Sequence, residues 1–258
     1  MIGAAGRAAA ALALIAPALS PAEALRPSEA LGRYLAGQRG DRLACSDSLF
    51  AIRIDASMPA MKRYGSMTGF KRIVQPGQVV YRGLRFTGDK FVKTQVIARY
   101  LSRDTYPSAQ TADIAVTPAN YVFAFNGVSD YSGLAAYVFL LKPRRKRAEL
   151  FRGELWLDAG TGEPHRIWGD LVKSPSIFVR SFRFVQDYQT VHGCTEPLRL
   201  LLTARTRIAG TVEMTVWLHP ASEEPETTSG FDAVPDFSFD AVPDFSKEDS
   251  LDYGRNDR

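Results

Sequence analysis

The chain carries few of the groups that enzymatic chemistry needs. No GxSxG elbow, HExxH, CxxC, P-loop or GxGxxG occurs in its 258 residues, which removes the motif-bearing hydrolases, zinc peptidases, redox thiols and nucleotide-binding folds. Its three histidines, His165, His192 and His219, each sit at a turn or strand end. No carboxylate or cysteine recurs at ligand spacing beside all three, so neither a metal nor a cofactor is expected. Asp158, Glu163 and Asp170 flank one hairpin, where turn solvation accounts for them better than an acid–base pair does. The chain reads as a protein that is not an enzyme.

Long hydrophobic runs are also missing. The one apolar stretch near the start, Ala8 to Leu19, is too short for a membrane span of roughly 20 residues. It follows a single positive charge at Arg7 and precedes Ala22-Glu23-Ala24, a small-x-small cleavage pattern. Residues 1–24 therefore read as a cleaved signal peptide with Leu25 as the mature start, and the protein as periplasmic. Neither cysteine sits in a lipobox, since Arg42 occupies the position three before Cys45. Cys45 and Cys194 are either free thiols or one disulfide, a bond that an oxidising compartment preserves.

Acidic charge is scarce outside the C-terminal end. Residues 221–258 hold 11 acidic and 3 basic side chains, against 17 acidic and 29 basic in the rest. A basic body favours anionic partners such as a membrane surface, and export argues against nucleic acid. The basic turn Pro143 to Arg147 (PRRKR) is either solvated or in contact with such a surface. In the acidic tail, FDAVPDFS at residues 231–238 is repeated at 239–246. Such a segment buries too little apolar area to offset its ordering entropy, and disorder is expected.

What the chain has in quantity is alternation. From Leu134 to Leu218, runs such as AAYVFLL, AELFRGELWLD, IFVRSFRFVQDYQTV, LRLLLTARTRI and TVEMTVWL follow one another across short turns. Period-two patterning gives each strand one core face. Upstream, Ser46 to Ser57, Met61 to Val74, Val79 to Phe86 and Asn120 to Asn126 read as further strands. Ser28 to Gly40 reads as a short helix with Ser28 as N-cap. Lys90 to Arg103 breaks the alternation, with Val92, Val96, Ile97, Tyr100 and Leu101 near helical spacing, and reads as an amphipathic helix. The fold class is α+β, mostly β: a curved antiparallel meander forming an incomplete barrel. On its apolar face Phe178, Phe182, Phe184 and Tyr188 fall in step, as do Leu198, Leu200, Leu202, Ala204 and Ile208 on the next strand. Phe178, Phe182, Phe184, Tyr188, Leu200 and Leu202 are the candidate lining of an apolar groove.

The block RGELWLDAGTGEPHRIWGDLV (residues 152–172), with KSPSIFVRSFRFVQDYQ after it, resembles the outer-membrane lipoprotein-sorting, LolA-like proteins of Gram-negative bacteria. It is similar to a diverged branch with a "PKR…F.G..W.D" pattern, carried here by Lys142, Pro143, Arg144, Phe151, Gly153, Trp156 and Asp158. The resemblance spans Ser46 to Leu218 and implies a half-barrel domain, placed at residues 25–220, with lid helices over a cavity for lipoprotein acyl chains or another lipid. The lid would be the helix carrying Val96 and Tyr100. The lid arginine of better-known members has no motif here, and Arg99 and Arg103 are its candidates. The functional expectation is a monomeric, non-enzymatic periplasmic carrier of acyl chains. The alternative is a structural or regulatory periplasmic module that binds a protein partner through the same sheet.

Overall fold

The computed structural model describes residues 24–40, 48–75, 78–105, 114–174, 176–191 and 194–222. Cys45, most of the expected signal peptide and the repeat-bearing tail lie outside the described residues. Ten strands form one antiparallel sheet: β1 (Ser48–Met58), β2 (Arg63–Gln75), β3 (Gln78–Gly88), β4 (Tyr121–Tyr131), β5 (Leu134–Pro143), β6 (Phe151–Asp158), β7 (Pro164–Leu171), β8 (Val179–Val191), β9 (Cys194–Thr206) and β10 (Thr211–Pro220). The order across the sheet is β3-β2-β1-β10-β9-β8-β7-β6-β5-β4. The expected meander is therefore two meanders joined by the pairing of β1 with β10, Ile52 opposite Leu218 and Ile54 opposite Val216. That pairing puts the first and last strands mid-sheet and leaves β3 and β4 as edges, so the barrel stays open.

Cross-strand partners share a face, and one face is mostly apolar. Phe50, Ile52 and Ile54 of β1, Val216 and Leu218 of β10, Leu155 and Leu157 of β6 and Phe139 and Leu141 of β5 are all buried there. Each such side chain stabilises the fold by roughly 1.5–3 kcal/mol. This face holds two separate cores. The first gathers residues of β4 to β7 under helix α1 (Pro27–Gly40), whose Ala30 and Tyr34 are buried in it. The second gathers β1, β2 and β10 under a helical run made of α2 (Lys90–Val92), a π turn (Lys93–Ile97) and α3 (Ala98–Thr105). Val92 and Ile97 are both fully buried though five residues apart. An α-helix would turn that spacing to another face; the wider π turn keeps both on the sheet.

The N-cap of helix α1 lies two residues earlier than its sequence suggests. The Ala30 amide donates to the Arg26 carbonyl at 3.0 Å, and Glu29 accepts from the Arg26 amide at 3.1 Å. Arg26 is thus the N-cap and Pro27 the first helical residue, where its missing N–H costs nothing. Ser28 lies inside the first turn.

Two glycines let β6 and β7 approach closely. Gly153 pairs with Gly169, and a Cβ on Gly153 would stand 1.8 Å from the Trp168 carbonyl oxygen. A Cβ on Gly169 would stand 2.3 Å from the Phe151 ring. Phe151 in turn meets Phe184 edge-on at 4.8 Å. Cys194, at the start of β9, is disulfide-bonded, and Cys45 is the only other cysteine of the chain. No helix among the described residues is long and apolar enough to cross a membrane.

Candidate functional site

Between the two cores the apolar face opens into a cavity of about 650 Å³. One wall is α1, through Arg33, Tyr34 and Gln38. The opposite wall is Ser48 and Phe50 of β1 with Ile73 of β2. Ile114, Ala115 and Val116 form a third side, and Ile167, Tyr188 and Pro197 lie on the strands behind. Aromatic and aliphatic groups supply the interior, while Arg33, Gln38, Glu163 and Glu196 add a few polar ones. An apolar hollow with a few polar groups that fix orientation is the usual build of a small-molecule site.

The α1 wall is held by the β6–β7 turn. The Leu25 amide donates to the Ala159 carbonyl at 2.8 Å, and the Tyr137 hydroxyl donates to the Leu25 carbonyl. Gly162 (φ +81°) comes so close to the helix that a Cβ there would stand 2.8 Å from the Ala30 carbonyl oxygen. Asp158 organises this turn by accepting from the Gly160 amide at 2.9 Å and the Thr161 amide at 2.7 Å. Burial alone would raise the Asp158 carboxyl, but the Thr161 and Gly160 bonds hold it below its ordinary range.

The other face of the sheet carries a polar cluster. Asp187, fully buried, accepts from Arg166 Nε at 2.7 Å, from Arg199 Nε at 2.9 Å and from the Tyr131 hydroxyl at 3.3 Å. Arg166 lies over the Tyr131 ring at 5.1 Å and Arg199 over Trp217 at 5.4 Å. Tyr131 also stacks on His165, with centroids 4.9 Å apart. Burial pushes the Tyr131 phenol up to about 12, and the Asp187 carboxylate adds to it. Arg53, Trp217, Arg199, Asp187, Arg166 and Trp156 are successive cross-strand partners, so one row of guanidinium, indole and carboxylate crosses six strands. The row lines no part of the cavity. Among the described residues no three metal-ligating side chains come together.

Of the residues expected to line a groove, Tyr188 does so. Phe184 packs on the first core, and Leu200 and Leu202 on the second. Phe182 shares their face as the partner of Ala204. Phe178 precedes β8 and is 54% exposed, and Ile208 follows β9 at 81%; neither continues its strand's apolar side. Val96 and Tyr100 pack on the second core, while Arg99 and Arg103 are exposed. That helix lines none of the cavity, and the covering helix is α1. Sequence reading identified α1 as a helix without giving it this place. The signal was available in Tyr34 and Gly37 on a short helix, but only the fold brings them opposite Phe50.

This geometry defines a class, an open curved antiparallel sheet with helices and a cavity on its apolar face. No protein-family model matches the sequence, and no curated protein matches it. Among solved structures the chain is similar to a LolA superfamily protein from Nitrosomonas europaea, at 10% identity and a TM-score of 0.36, over 78% of this chain and 96% of that one. It is also similar to a putative outer membrane lipoprotein-sorting protein domain from Vibrio parahaemolyticus (10%, TM-score 0.40, 75% and 94%). A third likeness is to the MucA/MucB complex of Pseudomonas aeruginosa (12%, TM-score 0.25, 76% and 94%). We base the functional reading on this chain's own residues.

Proposed function

We propose that the protein is a non-enzymatic periplasmic carrier that holds an acyl chain, of a lipoprotein or another lipid, in the cavity between its two cores. The observation that carries this is the cavity itself, roofed by α1 and backed by the apolar sheet face. At the roughly 30 Å³ that a water-sized group occupies in a liquid, it takes about 20 such groups, the size of one long acyl chain. Each methylene moved there from water gains about 0.8 kcal/mol, which is what a lipid needs to cross an aqueous compartment. Tyr188→Asp should weaken binding of a fluorescent fatty-acid probe by about tenfold or more, and Ile114→Asp should do the same at the side formed by residues 114–116. Unchanged affinity in both folded variants would remove the cavity as the site.

A second reading, a module that binds a protein partner through the same sheet, is favoured by edge strand β4. There Val122, Phe125 and Val128 are 43%, 49% and 63% exposed. A partner strand would add at that edge through main-chain hydrogen bonds, with these side chains giving specificity.

A further inference from the structure

We propose that one end of the sheet is a docking surface for an anionic lipid bilayer. Strand direction places five segments at this end: residues 59–62 between β1 and β2, 89–93 after β3, 144–150 between β5 and β6, 172–178 between β7 and β8, and 207–210 between β9 and β10. They touch one another in sequence around the rim. The Asp89 amide donates to the Tyr64 carbonyl at 2.7 Å, and Gly210 sits against Ala60. Arg207 donates through its amide to the Phe178 carbonyl at 2.9 Å, and through Nε to the Ile177 carbonyl at 2.8 Å. The Val172 amide donates to the Leu150 carbonyl at 2.9 Å.

Two properties coincide on this rim. The five segments hold nine basic side chains against two acidic ones, Asp89 and Glu149. Asp89 is already engaged, capping Val92 at 3.1 Å. The described turns at the opposite end, Ser132-Gly133 and Ala159 to Glu163, hold one acid and no base. The same rim also exposes apolar side chains: Ile208 at 81%, Ile177 at 79%, Tyr64 at 61%, Phe178 at 54%, and Met61 and Phe91 at 43% each. Isolated exposed hydrophobes need no explanation, but a contiguous set rimmed by cations marks an interaction surface. Aliphatic and aromatic tips that enter the headgroup layer, with lysines and arginines on the phosphates, suit an anionic bilayer. A nucleic acid would use the cations but has nothing for Ile177 and Ile208.

This surface is independent of the acyl-chain reading, since the strand and turn residues that line the cavity come chiefly from the opposite end. The test is co-sedimentation of the full chain with vesicles of phosphatidylcholine alone or mixed with phosphatidylglycerol. The chain should pellet with the mixed vesicles and stay in solution with the neutral ones, and added salt should release it. Ile177→Ser with Ile208→Ser, and separately Arg145→Glu with Lys146→Glu, should each weaken vesicle binding by about tenfold. These side chains are exposed, so melting temperature and fatty-acid probe affinity should stay at parent values. Failure of the full chain to bind mixed vesicles would overturn the proposal. So would an isoleucine variant that binds as tightly as the parent, or binding to double-stranded DNA that matches binding to vesicles. Loss of probe binding in the cavity variants would leave it standing.

Discussion

Asp187→Ala is expected to destabilise the fold by about 3–5 kcal/mol. The Asp187 carboxylate is fully buried, and the guanidinium groups it joins are nearly so, with side-chain exposures of 13% for Arg166 and 8% for Arg199. Removing the acid leaves two like charges side by side, desolvated and without the group that compensates them. Tyr131 would lose its acceptor as well, and with it the tie between the end of β4 and β8. Tyr131→Phe removes the hydrogen bond to Asp187 while leaving the acid in place, and should cost about 1 kcal/mol. Urea unfolding of the three proteins decides the matter. A loss under about 1 kcal/mol for Asp187→Ala would mean that water reaches the cluster and the charges are not buried.

Gly153→Ala should cost about 3 kcal/mol, the upper end of overpacking effects. The added methyl would meet the backbone oxygen of Trp168, and backbone cannot rotate away as a flexible side chain can. Strand β7 would have to move off β6, which would also disturb the contact of Phe151 with Phe184. Gly169→Ala strikes the Phe151 ring instead, a side chain with some freedom, so its cost should be smaller. Because the two glycines are cross-strand partners, the double variant should cost less than the sum. Thermal melts of the two single variants, with Gly153→Ala the less stable, would support this picture; equal and small losses would contradict it.

These two sites also mark how far sequence reading reaches. Alternation located the strands and put Phe184, Leu200 and Leu202 on the face that packs on the cores, because a period of two needs no knowledge of partners. Gly153 and Trp156 were visible as part of a resemblance, yet the reason for the glycine lay 16 positions away in Gly169. The Asp187 cluster was not legible. Arg166, Asp187 and Arg199 lie on outward-facing strand positions, which normally meet solvent, and only the register of β7, β8 and β9 puts them in one row. The pairing of β1 with β10 joins residues more than 150 positions apart, and no local pattern encodes it. For the same reason the cavity was sought along β8 and β9, while its walls came from α1, β1 and the segment at Ile114.

The most direct measurement is mass spectrometry of organic extracts from the full chain purified natively from cells that express it. The account predicts a co-purified acyl-chain lipid at close to one chain per protein, reduced sharply in Tyr188→Asp and retained when Ile177 and Ile208 are both replaced by serine. A folded protein that carries no lipid, or that carries the same amount with Tyr188 replaced, would contradict a carrier built on this cavity.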